Sequence, residues 1–283
     1  MPEESQGPVP QKISKEISGF AAPEGIAADD HYLYVSNVGV LAPTKKDGDG
    51  FISQMDRDGN IEQLKWVEGL NAPKGMAIKD QVLYVTDIDR LLGFQIPDGN
   101  KVFDLDFSKA GVQFLNDIAI GKEGILLVSA TMLGKVYEVN TEGAGTYSEL
   151  IIEGDIGGVN GLSYDSRTNQ LFLNSYGTNG EANGAIGLIN MGSKIKRFKP
   201  LGDHRGYLDG LAVLGSLIVF SDWKKMEKAG GLMVVDMIDR QTHPFPLSQK
   251  IGGPADFYYD GNRKIMWIPM MMEDKVLMEE VNF

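Results

Sequence analysis

A short motif recurs six times along the 283-residue chain, at intervals of 42 to 50 residues. Its copies are PEGIA from Pro23, PKGMA from Pro73, LNDIAI from Leu115, VNGLSY from Val159, LDGLAV from Leu208 and PADFYY from Pro254. A repeat of this length is typical of β-propellers, in which each blade is one structural unit. The recurrence constrains the fold more than any other feature of the sequence.

Each repeat also contains four short runs rich in β-branched and aromatic residues, separated by Gly, Asp and Asn. In the third repeat the runs are DIAIG, ILLVSA, KVYEVN and YSELII. Such runs predict strands, and the intervening residues predict tight turns. The sequence therefore predicts an all-β, six-bladed β-propeller with four antiparallel strands per blade.

Only 28 residues follow Ala255, which is enough for about three strands of the last blade. We expect the missing outer strand to come from the N-terminal segment QKISKEIS, residues 11–18, so that the two termini close the ring. Residues 10–283 are then a single propeller domain, and the polar residues 1–9 are expected to be a disordered leader.

Composition excludes several classes of function. The net charge of −12 opposes binding to nucleic acid, and the longest apolar run, residues 211–220, is too short to span a membrane. The absence of cysteine excludes disulfides and thiolate sites. A polar leader without cysteine does not fix the location but favours a periplasmic or exported bacterial protein, and the oligomeric state stays open.

The second residue of each motif is expected at the mouth of the central channel, because the first strand of a blade starts where the second one ends. These residues are Glu24, Lys74, Asn116, Asn160, Asp209 and Ala255, with Asp117 and Asp256 one position further on. Carboxylates and carboxamides around one axis predict a site for a hard cation, above all Ca²⁺. The alternative is that Asn and Asp only form the turn into each inner strand.

In their order and spacing, PEGIA, LND, NGL and LDGL resemble the motifs of the regucalcin/gluconolactonase family (the senescence marker protein family), across almost the whole chain. The resemblance implies a divalent metal bound by Glu24, Asn160 and Asp209, with Asn116 as a further ligand or substrate contact. Ca²⁺ is the expected ion, and Mg²⁺, Mn²⁺ and Zn²⁺ remain alternatives. The family is related to the paraoxonase-type calcium-dependent hydrolases, so the resemblance implies hydrolysis of a lactone or ester.

The sequence also departs from the sugar-lactone members of that family. Phe114 stands where they carry an arginine, and IAADD follows the first motif where they carry an aromatic residue. Phe114, Tyr176 and Trp223 therefore indicate a more apolar substrate, unless these rings only pack between blades.

The functional expectation is a metal-dependent lactonase or esterase that acts on a small molecule. Asp209 (as base or nucleophile) and Asn116 are its expected catalytic residues. The expected substrate pocket comprises Lys74, Asp87, Phe114, Asp117, Tyr176, Trp223 and Asp256. Lys74 is expected to pair with Asp87, Asp117 or a substrate oxygen and not with the ion. The alternative is a non-catalytic binding propeller with a structural calcium ion.

Two further features of the sequence are not assigned to this site. The segment KKDGDGFISQMD resembles an EF-hand loop but begins with Lys45 where an acid is required, so it predicts a mouth-side loop of the first blade. His204 precedes the fifth motif, and the connection that carries it is expected on the face opposite the mouth.

Overall fold

The computed structural model of the protein describes residues 13–282. Six antiparallel sheets follow one another along this part of the chain, and each contains the four strands of one blade. The predicted all-β six-bladed propeller is confirmed. None of the described helices is long and apolar enough to cross a membrane.

The strand bounds follow the repeats. Blade one contains β2 (Pro23–Ala28), β3 (Tyr32–Asn37), β4 (Gly50–Asp56) and β5 (Ile61–Leu70). Blade two contains β6 (Pro73–Lys79), β7 (Val82–Asp87), β8 (Arg90–Gln95) and β9 (Lys101–Asp106). Blade three contains β10 (Leu115–Ile120), β11 (Leu126–Ala130), β12 (Lys135–Asn140) and β13 (Thr146–Glu149).

The later blades carry small additions. Blade four contains β15 (Val159–Asp165), β16 (Gln170–Ser175), β17 (Ile186–Asn190) and β19 (Lys199–Pro200), and beside it β14 (Ile152–Glu153) pairs with β18 (Lys196–Arg197). Blade five contains β20 (Leu208–Leu214), β21 (Leu217–Asp222), β22 (Lys228–Asp236) and β23 (Thr242–Pro244), and β24 (Ile251–Gly252) pairs with β22. Blade six contains β25 (Tyr258–Asp260), β26 (Ile265–Met270) and β27 (Lys275–Glu280). Single 3₁₀ turns span Ser108–Ala110, Lys122–Gly124, Thr131–Leu133 and Met271–Glu273.

The N-terminal strand β1 (Ser14–Ser18) is the outer strand of blade six, antiparallel to β27 with Ile17 opposite Val276. The expected closure of the ring by both termini is therefore confirmed. Residues 11–12 of the predicted segment and the expected leader lie outside the described residues.

The core lies between neighbouring blades. One cluster joins Tyr34 and Trp66 of blade one to Leu83 of blade two, and the two rings are 4.8 Å apart. Another cluster joins Leu33 of blade one to Trp267 of blade six, across the closure. Because the blades share these layers, their apolar packing holds the six inner strands around the axis.

In blades one to five the motif interrupts the pairing of the inner strand with the second strand. The register shifts between Pro23 and Ile26 in blade one, and at the equivalent positions of blades two to five. Such a bulge takes residues out of the ladder and redirects their side chains. In these five blades the motif is therefore the sequence signature of a bulge that turns one side chain towards the channel.

Second-strand side chains satisfy the backbone N–H groups that the bulges release. The N–H of Gly25 donates to Ser36 Oγ at 2.8 Å, and the N–H of Gly161 donates to Asn174 Oδ1 at 2.9 Å. The N–H of Asp117 donates to Ser129 Oγ at 2.8 Å. These buried hydrogen bonds fix the direction of the motif residues.

The third motif position is glycine in four blades and aspartate in the opposed blades three and six. A Cβ atom on Gly75 would stand 2.6 Å from both the Asn116 carbonyl oxygen and Asp117 Cα. A Cβ atom on Gly210 would stand 2.7 Å from Asp256 Cα. Glycine therefore allows neighbouring inner strands to approach closely and leaves room for the two aspartates.

We expect Gly75→Ala to destabilise the protein by about 1–3 kcal/mol, because the methyl group would meet backbone atoms of the next blade. Gly231→Ala is the matched control, since a Cβ there meets no atom within 4 Å. Urea unfolding followed by circular dichroism measures both effects. Equal stability of the two variants would contradict the close-approach argument.

Candidate active site in the channel mouth

The bulges bring the motif side chains of five blades to the base of one cavity. Glu24, Lys74, Asn116, Asn160 and Asp209 all lie there, each no more than 5% exposed. The structure thus assembles all four residues that were expected to hold a metal, although they lie up to 185 positions apart in the chain.

The cavity has a volume of about 430 Å³, and its walls are largely apolar. Beyond the five polar residues, its lining is Leu41, Pro43, Phe114, Thr131, Met132, Tyr176, Trp223, Met226, Met271 and Met272. Phe114, Tyr176 and Trp223 therefore occupy the expected pocket. Tyr176 and Trp223 also pack edge to face at 5.8 Å, so these two rings both line the cavity and pack against each other.

Two buried acceptor atoms in the ring lack a protein hydrogen-bond partner, namely Glu24 Oε2 and Asn160 Oδ1. The amide nitrogen of Asn160 is engaged, because it donates to the Leu208 carbonyl at 3.3 Å. A buried acceptor without a partner is energetically costly, and a cation would satisfy both oxygens. The donor set of the ring therefore fits a hard divalent ion.

Few of the oxygen donors in the ring carry a charge. Within residues 13–282, no three Asp, Glu, His or Cys side chains converge as a metal-binding group. The ring instead combines two carboxylates with two carboxamides. Oxygen donors of this kind are typical of Ca²⁺ sites, where water commonly completes the shell.

Burial makes it unfavourable for the ring carboxylates to be ionised. Burial raises the pKa of Asp209 to about 7; the hydrogen bond from Trp223 opposes this shift, and the charge of Asp117 adds to it. Burial and the charge of Asp209 raise the pKa of Glu24 well above its usual value. A divalent cation would offset this penalty and favour the charged carboxylates.

Asp209 is also held in place directly. Trp223 Nε1 donates to Asp209 Oδ2 at 3.0 Å in a buried hydrogen bond. Trp223 follows the end of β21 and Asp209 lies in the bulge of β20, so the hydrogen bond joins adjacent strands of blade five. One carboxylate oxygen is thereby oriented by the protein.

Lys74 is buried and hydrogen-bonded to the backbone. Its Nζ donates to the carbonyls of Pro43, at 3.0 Å, and Ala72, at 2.9 Å. The ammonium group also lies 4.4 Å from the centre of the Phe114 ring. Burial lowers the pKa of Lys74 to about 8, against the opposing effect of Glu24, Asp87 and Asp209.

The expected partners of Lys74 were therefore wrong in part, since neither Asp87 nor Asp117 hydrogen-bonds to its ammonium group in the described structure. The Asp87 carboxylate instead accepts from the N–H groups of Ala72, at 2.7 Å, and Asn71, at 3.0 Å. Asp87 thus supports the loop before β6 and does not line the cavity.

Asp117 and Asp256, both expected in the pocket, also do not line the cavity. The Asp117 carboxylate accepts from the N–H of Ile118 and from the N–H of Leu162, each at 2.6 Å. Burial raises the pKa of Asp117 to about 6. Burial also raises the pKa of Asp256 well above its usual value, and the charge of Asp117 adds to this shift.

Six apolar residues of the cavity were not among the predicted site residues, namely Leu41, Pro43, Met132, Met226, Met271 and Met272. All six belong to the segments that follow second strands, which the repeat topology already placed at the mouth. Their position in the sequence could have identified them. Of the segment resembling an EF-hand, residues 45–49 lie in the loop between β3 and β4, whereas Gly50–Asp56 form β4 itself. The expected blade-one loop is therefore confirmed only for the first part of the segment.

The expected position of His204 was wrong. Its Nε2 lies 3.0 Å from Asp222 Oδ2, and Asp222 ends the second strand of blade five at the mouth. Four antiparallel strands return the chain to the face from which it started, so a connection between blades lies on the mouth face. His204 nevertheless does not line the cavity.

Solved structures with low sequence identity share this architecture. A gluconolactonase from Xanthomonas campestris matches with a TM-score of 0.70 and 15% identity, over 96% of this chain and 90% of its own. A second structure, named as a putative gluconolactonase, matches with a TM-score of 0.68 and 15% identity, over 97% of this chain and 93% of its own. Virginiamycin B lyase from Staphylococcus aureus matches with a TM-score of 0.65 and 14% identity, over 96% of this chain and 100% of its own. No protein-family model and no curated protein matches the sequence. These likenesses establish a gluconolactonase-like propeller fold.

We expect Lys74→Met to lower the free energy of unfolding by about 1–3 kcal/mol, because two carbonyls would lose a charged donor. Lys45→Met, in the blade-one loop that carries Pro43, is the control, since Lys45 is exposed and ion-paired to Asp47. Urea denaturation compares the variants. Full stability of Lys74→Met would show that the position tolerates an apolar residue.

In the presence of a metal chelator, the free energy of unfolding of the wild-type protein should fall relative to that of Asp209→Asn as the pH rises from about 4 to 7. A carboxyl group whose pKa is about 7 when folded binds more protons in the folded state, so the stability that it contributes is lost as it ionises. Unfolding free energies measured at several pH values test this. A pH-independent difference would contradict the raised pKa.

Proposed function

We propose that the protein is a metal-dependent hydrolase of uncharged esters or lactones that carry apolar groups. The observation behind the proposal is the pair of unpartnered buried oxygens, Glu24 Oε2 and Asn160 Oδ1, at the polar base of an apolar cavity. A polar base under apolar walls is typical of small-molecule sites.

Glu24, Asn116, Asn160 and Asp209 would hold the cation, with Ca²⁺ as the best match to their oxygen donors. When bound, such an ion polarises a carbonyl oxygen and stabilises the negative charge that develops on it. The four side chains belong to four different blades, so the rigid ring of inner strands sets their relative positions.

Asp209 is the best candidate for a catalytic base or nucleophile. Trp223 holds its Oδ2 atom, and its pKa of about 7 without a cation allows it to exchange a proton near neutrality. Asn116 would contact the substrate carbonyl or complete the cation site. The methionine and aromatic walls would exclude bulk water from the reacting ester.

The cavity walls favour an apolar acyl or alcohol group over a sugar. Phe114 occupies the wall where the related sugar lactonases are expected to carry an arginine, and its ring lies against the Lys74 ammonium. Leu41, Met132, Met226 and Met272 extend the apolar surface around the opening. Gluconolactone itself is therefore a poor match to this cavity.

Hydrolysis of a panel of aryl esters and γ-lactones, with and without Ca²⁺, tests the proposal. We expect activity that chelator abolishes and Ca²⁺ restores, and one ¹⁸O atom from labelled water in the acid product. Formation of an unsaturated product without ¹⁸O would instead indicate a lyase.

Asp209→Asn and Asn160→Ala should each lower kcat/KM by about 100-fold or more, the typical effect of losing one electrostatic contact in the transition state. Asp203→Asn, an exposed change on the preceding loop, is the control and should keep full activity. Absence of hydrolysis with every divalent ion, together with a chelator-sensitive melting temperature, would favour the non-catalytic propeller with a structural ion.

A further inference from the structure

A second cavity opens beside the first, between blades three and four. Its volume is about 740 Å³, and it shares Thr131, Met132 and Tyr176 with the channel cavity. The two spaces therefore meet at these three residues. We call the second space the side groove and define it by Leu133, Gly158 and Thr178, which line it without lining the channel cavity.

Tyr176 is the aromatic side chain that lines both spaces. It packs on Trp223, which holds Asp209, at 5.8 Å, and on Tyr207 at 5.3 Å. The Tyr207 hydroxyl donates to the Gly180 carbonyl at 2.6 Å, and Gly180 lines the side groove. A ligand can therefore extend past Tyr176 from the candidate active site into the groove.

The junction carries a polar atom without a partner. Thr131 Oγ1 is buried and forms no hydrogen bond with any described residue, whereas the Thr131 backbone N–H donates to the Phe114 carbonyl at 3.0 Å. A buried hydroxyl group normally has a partner. A carbonyl or ether oxygen of a ligand that crosses the junction would supply one.

The groove has both polar and apolar surface, and its charged groups leave little attraction for an anion. Its Lys135 and Glu149 form an ion pair with each other at 2.7 Å, and the exposed Asp155 carboxylate accepts from the N–H of Gly157 at 2.8 Å. Glycines form much of the remaining wall, and a Cβ atom on Gly180 would meet nothing within 4 Å. Such a surface suits an uncharged chain that carries oxygen atoms.

We propose that the side groove is a specificity subsite for an extended, uncharged tail of the substrate. This inference rests on the proposed hydrolase function and adds the shape of the substrate: an apolar ester or lactone group in the channel cavity, joined to a chain with carbonyl or ether oxygens. Thr131 would donate its hydroxyl hydrogen to the first of these oxygens, and Leu133 and Thr178 would flank the rest of the chain.

Two phenyl esters test the proposal in the presence of Ca²⁺: phenyl acetate and the phenyl ester of a triethylene-glycol carboxylic acid. Leu133→Trp should lower kcat/KM for the long ester at least tenfold and change that for phenyl acetate less than twofold. The control is Ile151→Trp, because Ile151 is 70% exposed and does not line the groove. This control variant should leave kcat/KM unchanged for both esters.

Thr131→Val tests the hydrogen bond at the junction. We expect it to raise KM about threefold to tenfold for the triethylene-glycol ester, as one neutral hydrogen bond would, and to spare an alkyl ester of equal length. An equal effect on both long esters would overturn the assignment of Thr131. The same kcat/KM for the long ester in wild type and Leu133→Trp would overturn the subsite.

Binding of the corresponding anilides, which are not readily hydrolysed, separates this inference from the proposed function. Calorimetry should show tighter binding of the long anilide than of acetanilide, and Leu133→Trp should remove the difference. If no ester is hydrolysed but this pattern appears, the hydrolase proposal fails and the groove is still a ligand subsite. If the esters are hydrolysed without any effect of tail length, only the subsite is overturned.

Discussion

The structure depends on the close approach of six inner strands at the channel axis. The inner strands of blades one to five make that approach with a bulge, and side chains such as Ser36, Ser129 and Asn174 satisfy the released N–H groups. Glycine at the third motif position prevents clashes with the next blade, as at Gly75. The same bulge also directs one side chain of each of these five blades into the mouth, so the candidate site follows from how the ring is built.

The ring of polar side chains is an unfavourable arrangement without a cation. Glu24 and Asp209 are buried near each other, and the single ammonium group of Lys74 is already engaged by two carbonyls. Protonation relieves the penalty in one way, and a divalent ion would relieve it in another. The reversal of charge between Glu24 and Lys74 thus has a structural reason, because Lys74 supports the loop that carries Pro43 and is not an altered ligand.

The fold could be predicted from the sequence because every blade repeats the same motif and the same pattern of strands. Pro23, Pro73 and Val159 begin equivalent strands, and the short C-terminal repeat correctly indicated that β1 completes blade six. The motif residues were found for the same reason. The errors concerned the exact positions of side chains: His204 was placed on the wrong face, and Asp87, Asp117 and Asp256 were placed in the cavity, which they do not line.

The sequence by itself determined the propeller, the ring of motif side chains and the lack of thiolate chemistry, because these depend on local pattern and composition. Only the tertiary structure decided which polar atoms lack partners, that Asp117 raises the pKa of Asp256 on the opposite blade, and that a second groove joins the cavity at Thr131. These features arise where residues of different blades meet. Such contacts depend on the positions of distant segments in space, which no spacing along the chain encodes.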